Sequence, residues 1–293
     1  MEHPIISILI KVTIFTLMLS LGVNQSFEQL RSLWSRPGSL LRSLLSVVFM
    51  FPLLVFILLR VFALSPEVTT GLAVLAAVPG APMTYKRTAM AGGQPIYSAS
   101  LQLTLALLAI FITPIALTLF NTFFELELAK VSVFEVARQI AIVQFLPIGI
   151  GLLLQRIGPN FVATIGQPLG ILANMFFLLL VVILLFPVIK LVLQVGGTPI
   201  VAIVILVAGS LVIGYFLGSP TLFRQESALA QDERAALAIA TIARNLGLAV
   251  LVVQISGVQQ AILPTLLAYT IVGALVAVPF SLWSKRQIAL AKE

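Results

Sequence analysis

An all-helical protein that crosses a membrane many times is predicted by three observations. Of the 293 residues, 60% are hydrophobic and only 9% are charged, whereas soluble domains carry about a quarter charged residues. Apolar runs long enough to cross a bilayer, roughly 20 residues each, recur from one end to the other. The polar connections are short, the longest being Asn24–Ser39 and Gly218–Asp232. The mean hydropathy of +1.15 agrees.

About nine spans follow from the apolar runs. They lie near residues 4–23, 40–63, 68–90, 95–120, 132–155, 168–191, 198–217, 233–256 and 258–283, and the chain reads as a single transmembrane domain over 1–293. The first run reads as a retained helix rather than a signal peptide. Met1, Glu2 and His3 give no basic leader, Lys11 interrupts the apolar stretch, and no small-residue cleavage site follows.

Composition excludes several functions. The absence of cysteine removes disulfides, thiolate metal sites and Cys nucleophiles. The one histidine, His3, is terminal and reads as solvated. No Ser–His pair, metal-ligand cluster or phosphate-binding glycine loop stands out. The reading is therefore not an enzyme, with no cofactor required and no nucleic-acid or protein partner evident. A net charge of +7 is instead the excess of Lys and Arg that cytoplasmic loops carry. With the N-terminus outside, the cytoplasmic side holds Arg31, Arg36, Arg42, Lys86, Arg87, Arg156, Arg224, Arg234, Lys285, Arg286 and Lys292. The outer side holds Arg60, Lys130, Arg138 and Lys190. Eleven cations against four predict an N-out, C-in protein of the cell (plasma or inner) membrane, and an odd number of spans fits.

Two spans look broken. The third carries Pro79-Gly80-Ala81-Pro82, which removes backbone donors and stops a helix. The eighth carries Arg244, Asn245 and Gly247 at a depth where polar groups must line a cavity or find partners. The breaks lie at matching places in two halves. Gln94 pairs with Gln259, Pro114 with Pro279, Pro79 with Arg244 and Pro82 with Gly247, all 165 residues apart. Interrupted helices in corresponding halves point to a transporter built from inverted repeats, with its site where the breaks meet at mid-membrane. Because the helix count is odd, the first half would lack one helix.

Three segments in register carry a resemblance. They are Leu21-Gly22-Val23-Asn24-Gln25-Ser26-Phe27, Val78-Pro79-Gly80-Ala81-Pro82-Met83-Thr84-Tyr85, and Ala243-Arg244-Asn245-Leu246-Gly247-Leu248-Ala249. Together they resemble the bile acid:sodium symporter family over nearly the whole chain. The second is similar to that family's Pro-Gly-Gly segment, and the third to its second unwound segment, typically Gln-Asn-Ser-Gly-Leu-Ala. The resemblance implies a core domain of two inverted repeats, here about 40–120 and 198–284, with two helices crossing at their breaks. It implies a panel domain at about 1–23 and 132–191. It also implies alternating-access transport of bile acids, other organic anions or related solutes, usually with sodium.

The positions where the resemblance implies ion-binding oxygens are altered. They fall on Thr84, Tyr85, Ser98, Gln102, Ala240 and Arg244. A glutamate is expected at Ala240 and a glutamine at Arg244. Sodium, a hard cation, wants several oxygen ligands, so a lost carboxylate and a gained guanidinium make a poor site. No acidic residue lies mid-span to replace it with a proton relay. The expected function is thus a secondary carrier of a small organic anion with atypical or absent sodium coupling. A conventional sodium symporter with ligands elsewhere, or a membrane sensor that binds an anion without moving it, are the alternatives.

Arg244 either pairs an anionic substrate through its guanidinium fork or caps carbonyls of the broken helix. Asn245, Thr84 and Tyr85 are further substrate-contact candidates, with Asn245 equally suited to bonding loose backbone. Lys86 and Arg87 read as cytoplasmic anchors or as substrate attractors. Lys11 is expected to face protein or a water-filled crevice. Asn174 is expected to face the cavity or to bond a neighbouring helix. The glycines of Gly166-Gln167-Pro168-Leu169-Gly170 offer a weak helix-packing signal.

Overall fold

Helices joined by short connections make up the computed structural model, which describes residues 4–82, 84–126, 128, 132–193, 195–219 and 228–291. No strand occurs among the described residues. His3, Met83, Lys130, Arg224 and Lys292 lie outside them, as does part of the Gly218–Asp232 connection.

The helices begin where local chemistry favours a start. Helix α1 is Pro4–Val23. After it, Ser26 and Gln29 form a reciprocal capping box that opens α2, Phe27–Trp34. The segment expected to be a plain polar connection therefore contains a helix, bent 79° from α1. Proline is the first residue of α3 (Pro37–Val61), α4 (Pro66–Ala77), α6 (Pro95–Phe124) and α8 (Pro159–Leu193), where its missing N–H has no partner to lose. The short helix α5 is Thr84–Met90, and α7 is Val133–Ile157. The last four are α9 (Gly197–Leu217), α10 (Gln231–Ile242), α11 (Leu246–Ile255) and α12 (Gln259–Leu290).

Among the described residues, six helices are long and apolar enough to cross a membrane, or seven if the bent α1–α2 pair is one span. The two apolar runs expected to be broken do not count among them. The third and eighth apolar runs are each split into two short helices, α4 with α5 and α10 with α11. Pro79 and Gly80 interrupt the first run, and Ala243–Asn245 the second. The break in the eighth run is also shorter than expected, because Gly247 lies inside the first turn of α11. Asn245 opens that helix instead, its Oδ1 accepting from Leu248 N at 3.1 Å.

The spacing of 165 residues recurs in the helix bounds. Helices α4 and α10 start and end 165 residues apart. Gly92 and Gly257, in the turns that follow each broken pair, share φ values of 74° and 72°. Packing is exchanged between the halves as well as kept within them: α4 and α10 each lie on both α6 and α12. Small residues bring α10 close to α9. A Cβ on Gly214 would stand 2.7 Å from the Ala238 Cα, the kind of approach that association in lipid favours. Helix α1 packs on α7 and α8, with Gly166 and Gly170 of α8 turned toward Asn24 and Ser20.

Helices α3 and α7 each contain one π-turn, Leu45–Met50 and Ala141–Phe145, and each π-turn is followed by proline. In α3, Phe51 N–H reaches back to Ser46 O. Pro52 would be next to reach Val47 O but has no N–H, so that carbonyl is left for another donor.

Several of the expected cytoplasmic cations are used internally. Arg42, only 2% exposed, donates to Leu217 O and Ser219 O at the end of α9. Arg234 donates to Tyr215 O and lies 4.1 Å over its ring. Arg36 pairs with the buried Glu233 at 2.5 and 3.0 Å. Lys11 is exposed on α1 rather than buried against protein, within electrostatic reach of Glu135 on α7.

Candidate functional site

The two broken runs meet. Gly80 N–H donates to Ala243 O at 3.1 Å, and Asn245 N–H donates to Val78 O at 3.1 Å. Between these bonds Pro79 stands opposite Arg244 in an antiparallel pair. Val78 and Ala243 are 165 residues apart, as are Gly80 and Asn245. Exchanging the halves therefore exchanges the two hydrogen bonds, which is the behaviour of a two-fold contact.

Backbone left over at each break finds a donor. At the first, Gln102 Nε2 bonds Gly80 O at 3.1 Å, and Thr84 N–H and Oγ1 both bond Ala81 O. At the second, Tyr269 Oη bonds Ile242 O at 2.8 Å. Arg244 Nη2 bonds Thr241 O, and both terminal nitrogens reach Val47 O at 3.3 Å. The guanidinium thus serves the last turn of α10 and the carbonyl that Pro52 orphans in α3. It lies 3.8 Å from the centre of the Phe51 ring, and it forms no ion pair among the described residues. A full charge that is 5% exposed is accommodated here by carbonyl dipoles and an aromatic face. Its Nε is buried without a partner.

Asn245 is held by a residue that the sequence did not single out. Its Nδ2 donates to Gln144 Oε1 at 3.1 Å, and Gln144 Nε2 donates to Ala106 O at 2.7 Å. Gln144 is fully buried within the π-turn of α7. Its only signal in the sequence is an amide in an apolar run, three residues before Pro147. This chain of amides ties α6, α7 and the second break together.

Four of the six positions that the resemblance marks for ion ligands are held by other hydrogen-bond partners. Thr84 is committed to Ala81 O. Ser98 Oγ lies 3.0 Å from Thr88 Oγ1. Gln102 bonds Gly80, leaving Oε1 buried and without a donor. Ala240 sits in an apolar cluster with Val47, Leu101 and Leu105. Tyr85 is half-buried and faces a different crevice.

A cavity lies beside the crossing. Pro82, Arg244 and Asn245 line it with Arg87 and Tyr269, and Leu17 of α1 and Phe177 of α8 lie across it. Its water-accessible interior is ≈ 40 Å³. That is room for a little water and far below the roughly 300–1,000 Å³ of a pocket holding an organic ligand. A second crevice shares Leu17 and Pro82 and is lined by Ser20, Gln25, Tyr85 and Asn174. Arg87 is exposed yet lines the cavity beside the crossing, and Asn174 faces the seam between α8 and the first break.

With this geometry in hand, the comparison with known families is specific. The sequence model of the family described as Sodium Bile acid symporter family matches residues 11–195, well over half the chain. The match takes in the first break and ends before α9, so the second break and Arg244 lie beyond it. No curated protein matches the chain.

Proposed function

The chain belongs to the sodium bile acid symporter family, whose members are transporters, and from that premise we propose that it is a secondary carrier of a small organic anion. The observation that carries the reading is the crossing of two broken helices beside a cavity lined by Arg87 and Arg244. Helix breaks at mid-membrane are where carriers place their substrates, and two guanidinium groups suit an anion.

In this reading each broken pair counts as one span, which gives nine with α1. The 165-residue spacing, the exchanged hydrogen bonds and the matching packing of α4 and α10 support two inverted repeats. The core would be about 40–120 and 198–284, and the panel about 1–23 and 132–191. The chain would lie N-out and C-in in the cell membrane, on the charge bias of its connections. The seam across which Leu17 and Phe177 face the crossing is where core and panel would part. The small cavity corresponds to a state closed to solute. On opening, Arg87 contacts the anion and Arg244 supplies a fixed positive charge. Thr84, Tyr85 and Asn245 would complete the contacts, although Thr84 and Asn245 already hold backbone and Gln144.

Sodium coupling is atypical or absent in this proposal. Of the six marked positions, the one buried side-chain acceptor without a partner is Gln102 Oε1, where a hard cation wants several oxygens. A sodium ion about 4 Å from the Arg244 guanidinium would be repelled by roughly 4 kcal/mol at an effective dielectric near 20, close to a thousandfold in affinity. Gln102 Oε1 is also what favours the second reading, a conventional sodium symporter with further ligands elsewhere.

Flux of a labelled bile acid and of smaller organic anions into proteoliposomes, with and without a sodium gradient, tests both. Anion uptake that ignores sodium and is lost in Arg244→Ala is expected. Steep sodium dependence, with normal uptake by Arg244→Ala, would favour the second reading.

A further inference from the structure

The largest apolar cavity described lies outside the one that the crossing residues line. It is a groove of ≈ 400 Å³ between α3 and α6, walled by Pro52, Leu53 and Phe56 on one side and by Ile115, Ala116 and Leu119 on the other. Its shape has a backbone cause. The π-turn Leu45–Met50 and Pro52 distort one wall, and Pro114 interrupts the hydrogen bonding of the other. Ala116 leaves space where a larger side chain would fill it.

The groove opens sideways on two candidate membrane spans, between exposed Phe49, Ile115, Leu119 and Phe123. Hydrocarbon covers that surface in a bilayer. One end is different. Arg60, one turn beyond Phe56 and next to the last residue of α3, is exposed. Its guanidinium carbon lies 5.5 Å from the Phe56 ring centre and 5.0 Å from that of Phe124. It forms no ion pair among the described residues. The two rings hold the cation above the groove, at the depth where a span ends and headgroups begin.

We propose that this groove is a binding site for an anionic phospholipid, with an acyl chain along Pro52, Phe56 and Ala116 and the phosphate on Arg60. An apolar slot alone would accept any lipid tail, and the guanidinium at its rim, without an ion pair among the described residues, selects the charged headgroup. The inference rests on the membrane-spanning character of the chain and not on what it carries. The site also backs onto the crossing. Val48 lines the groove, and its neighbour Val47 offers the carbonyl that Arg244 holds.

The test is native mass spectrometry of the purified protein incubated with equal amounts of phosphatidylglycerol and phosphatidylcholine carrying matched acyl chains. The wild type should retain phosphatidylglycerol in severalfold excess. Arg60→Ala should bring the two lipids to parity, and Ala116→Trp, which fills the groove, should lose both. Equal retention by the wild type and Arg60→Ala would overturn the headgroup assignment. Should Ala116→Trp fail to fold, phosphatidylglycerol with a photoreactive acyl chain serves instead. Labelling within 48–56 and 112–123 of the wild type supports the site, and labelling elsewhere overturns it. A dimer that protects the groove from the label would give it to a second copy of the chain and overturn the proposal equally.

Discussion

The two breaks share a backbone arrangement and differ in how they achieve it. In the first, Val78–Pro82, the helix stops because proline lacks a donor and Gly80 adopts a φ of 76°. Side chains contribute from elsewhere, through Gln102 and Thr84. In the second, Ala243–Asn245, no residue is a strong helix breaker. The interruption is held open by polar side chains within it, Arg244 on two carbonyls and Asn245 on Leu248 N–H and Gln144. One break is written into the backbone, and the other depends on satisfied partners. The first should therefore be robust to polar substitution, and the second fragile.

The largest effect is expected at Arg244. Replacement by Met leaves Val47 O and Thr241 O without donors, at about 1–3 kcal/mol each, partly offset because a buried charge disappears. A clear fall in melting temperature is expected, together with lost anion uptake. A variant as stable as the wild type would mean that the guanidinium is not what holds the second break open.

Gly80→Ala probes the other break and should cost less. A left-handed φ disfavours an L side chain by roughly 1–2 kcal/mol, and the new Cβ would stand 3.0 Å from the Leu105 Cβ. If thermal unfolding were unchanged, the first break would not depend on its backbone conformation.

A third comparison tests the link between the second break and α7. Gln144→Met removes one acceptor and one donor from the amide chain, for about 1–3 kcal/mol. Combined with Asn245→Leu it should be clearly non-additive, since the two share a hydrogen bond. Additive losses of stability in the double-mutant cycle would place Gln144 outside the site.

Membrane character, the approximate spans and the first break are legible in the sequence because each is local. Twenty apolar residues need no context to be recognised as a span, and Pro79-Gly80-Ala81-Pro82 interrupts a helix wherever it stands. The 165-residue spacing is legible for the same reason, since helix bounds follow local capping and proline signals. That is also why α2 could have been read from Ser26 and Gln29, a capping box in a stretch treated as a connection. The partners of the polar residues are a different matter. Arg244 faces Val47, 197 residues away, and it does so because a π-turn and Pro52 leave that carbonyl unpaired. Gln144 meets Asn245 across 101 residues. Whether a buried cation binds substrate, an ion site or backbone depends on which carbonyls the packing leaves without donors, and in this protein only the tertiary structure decides that.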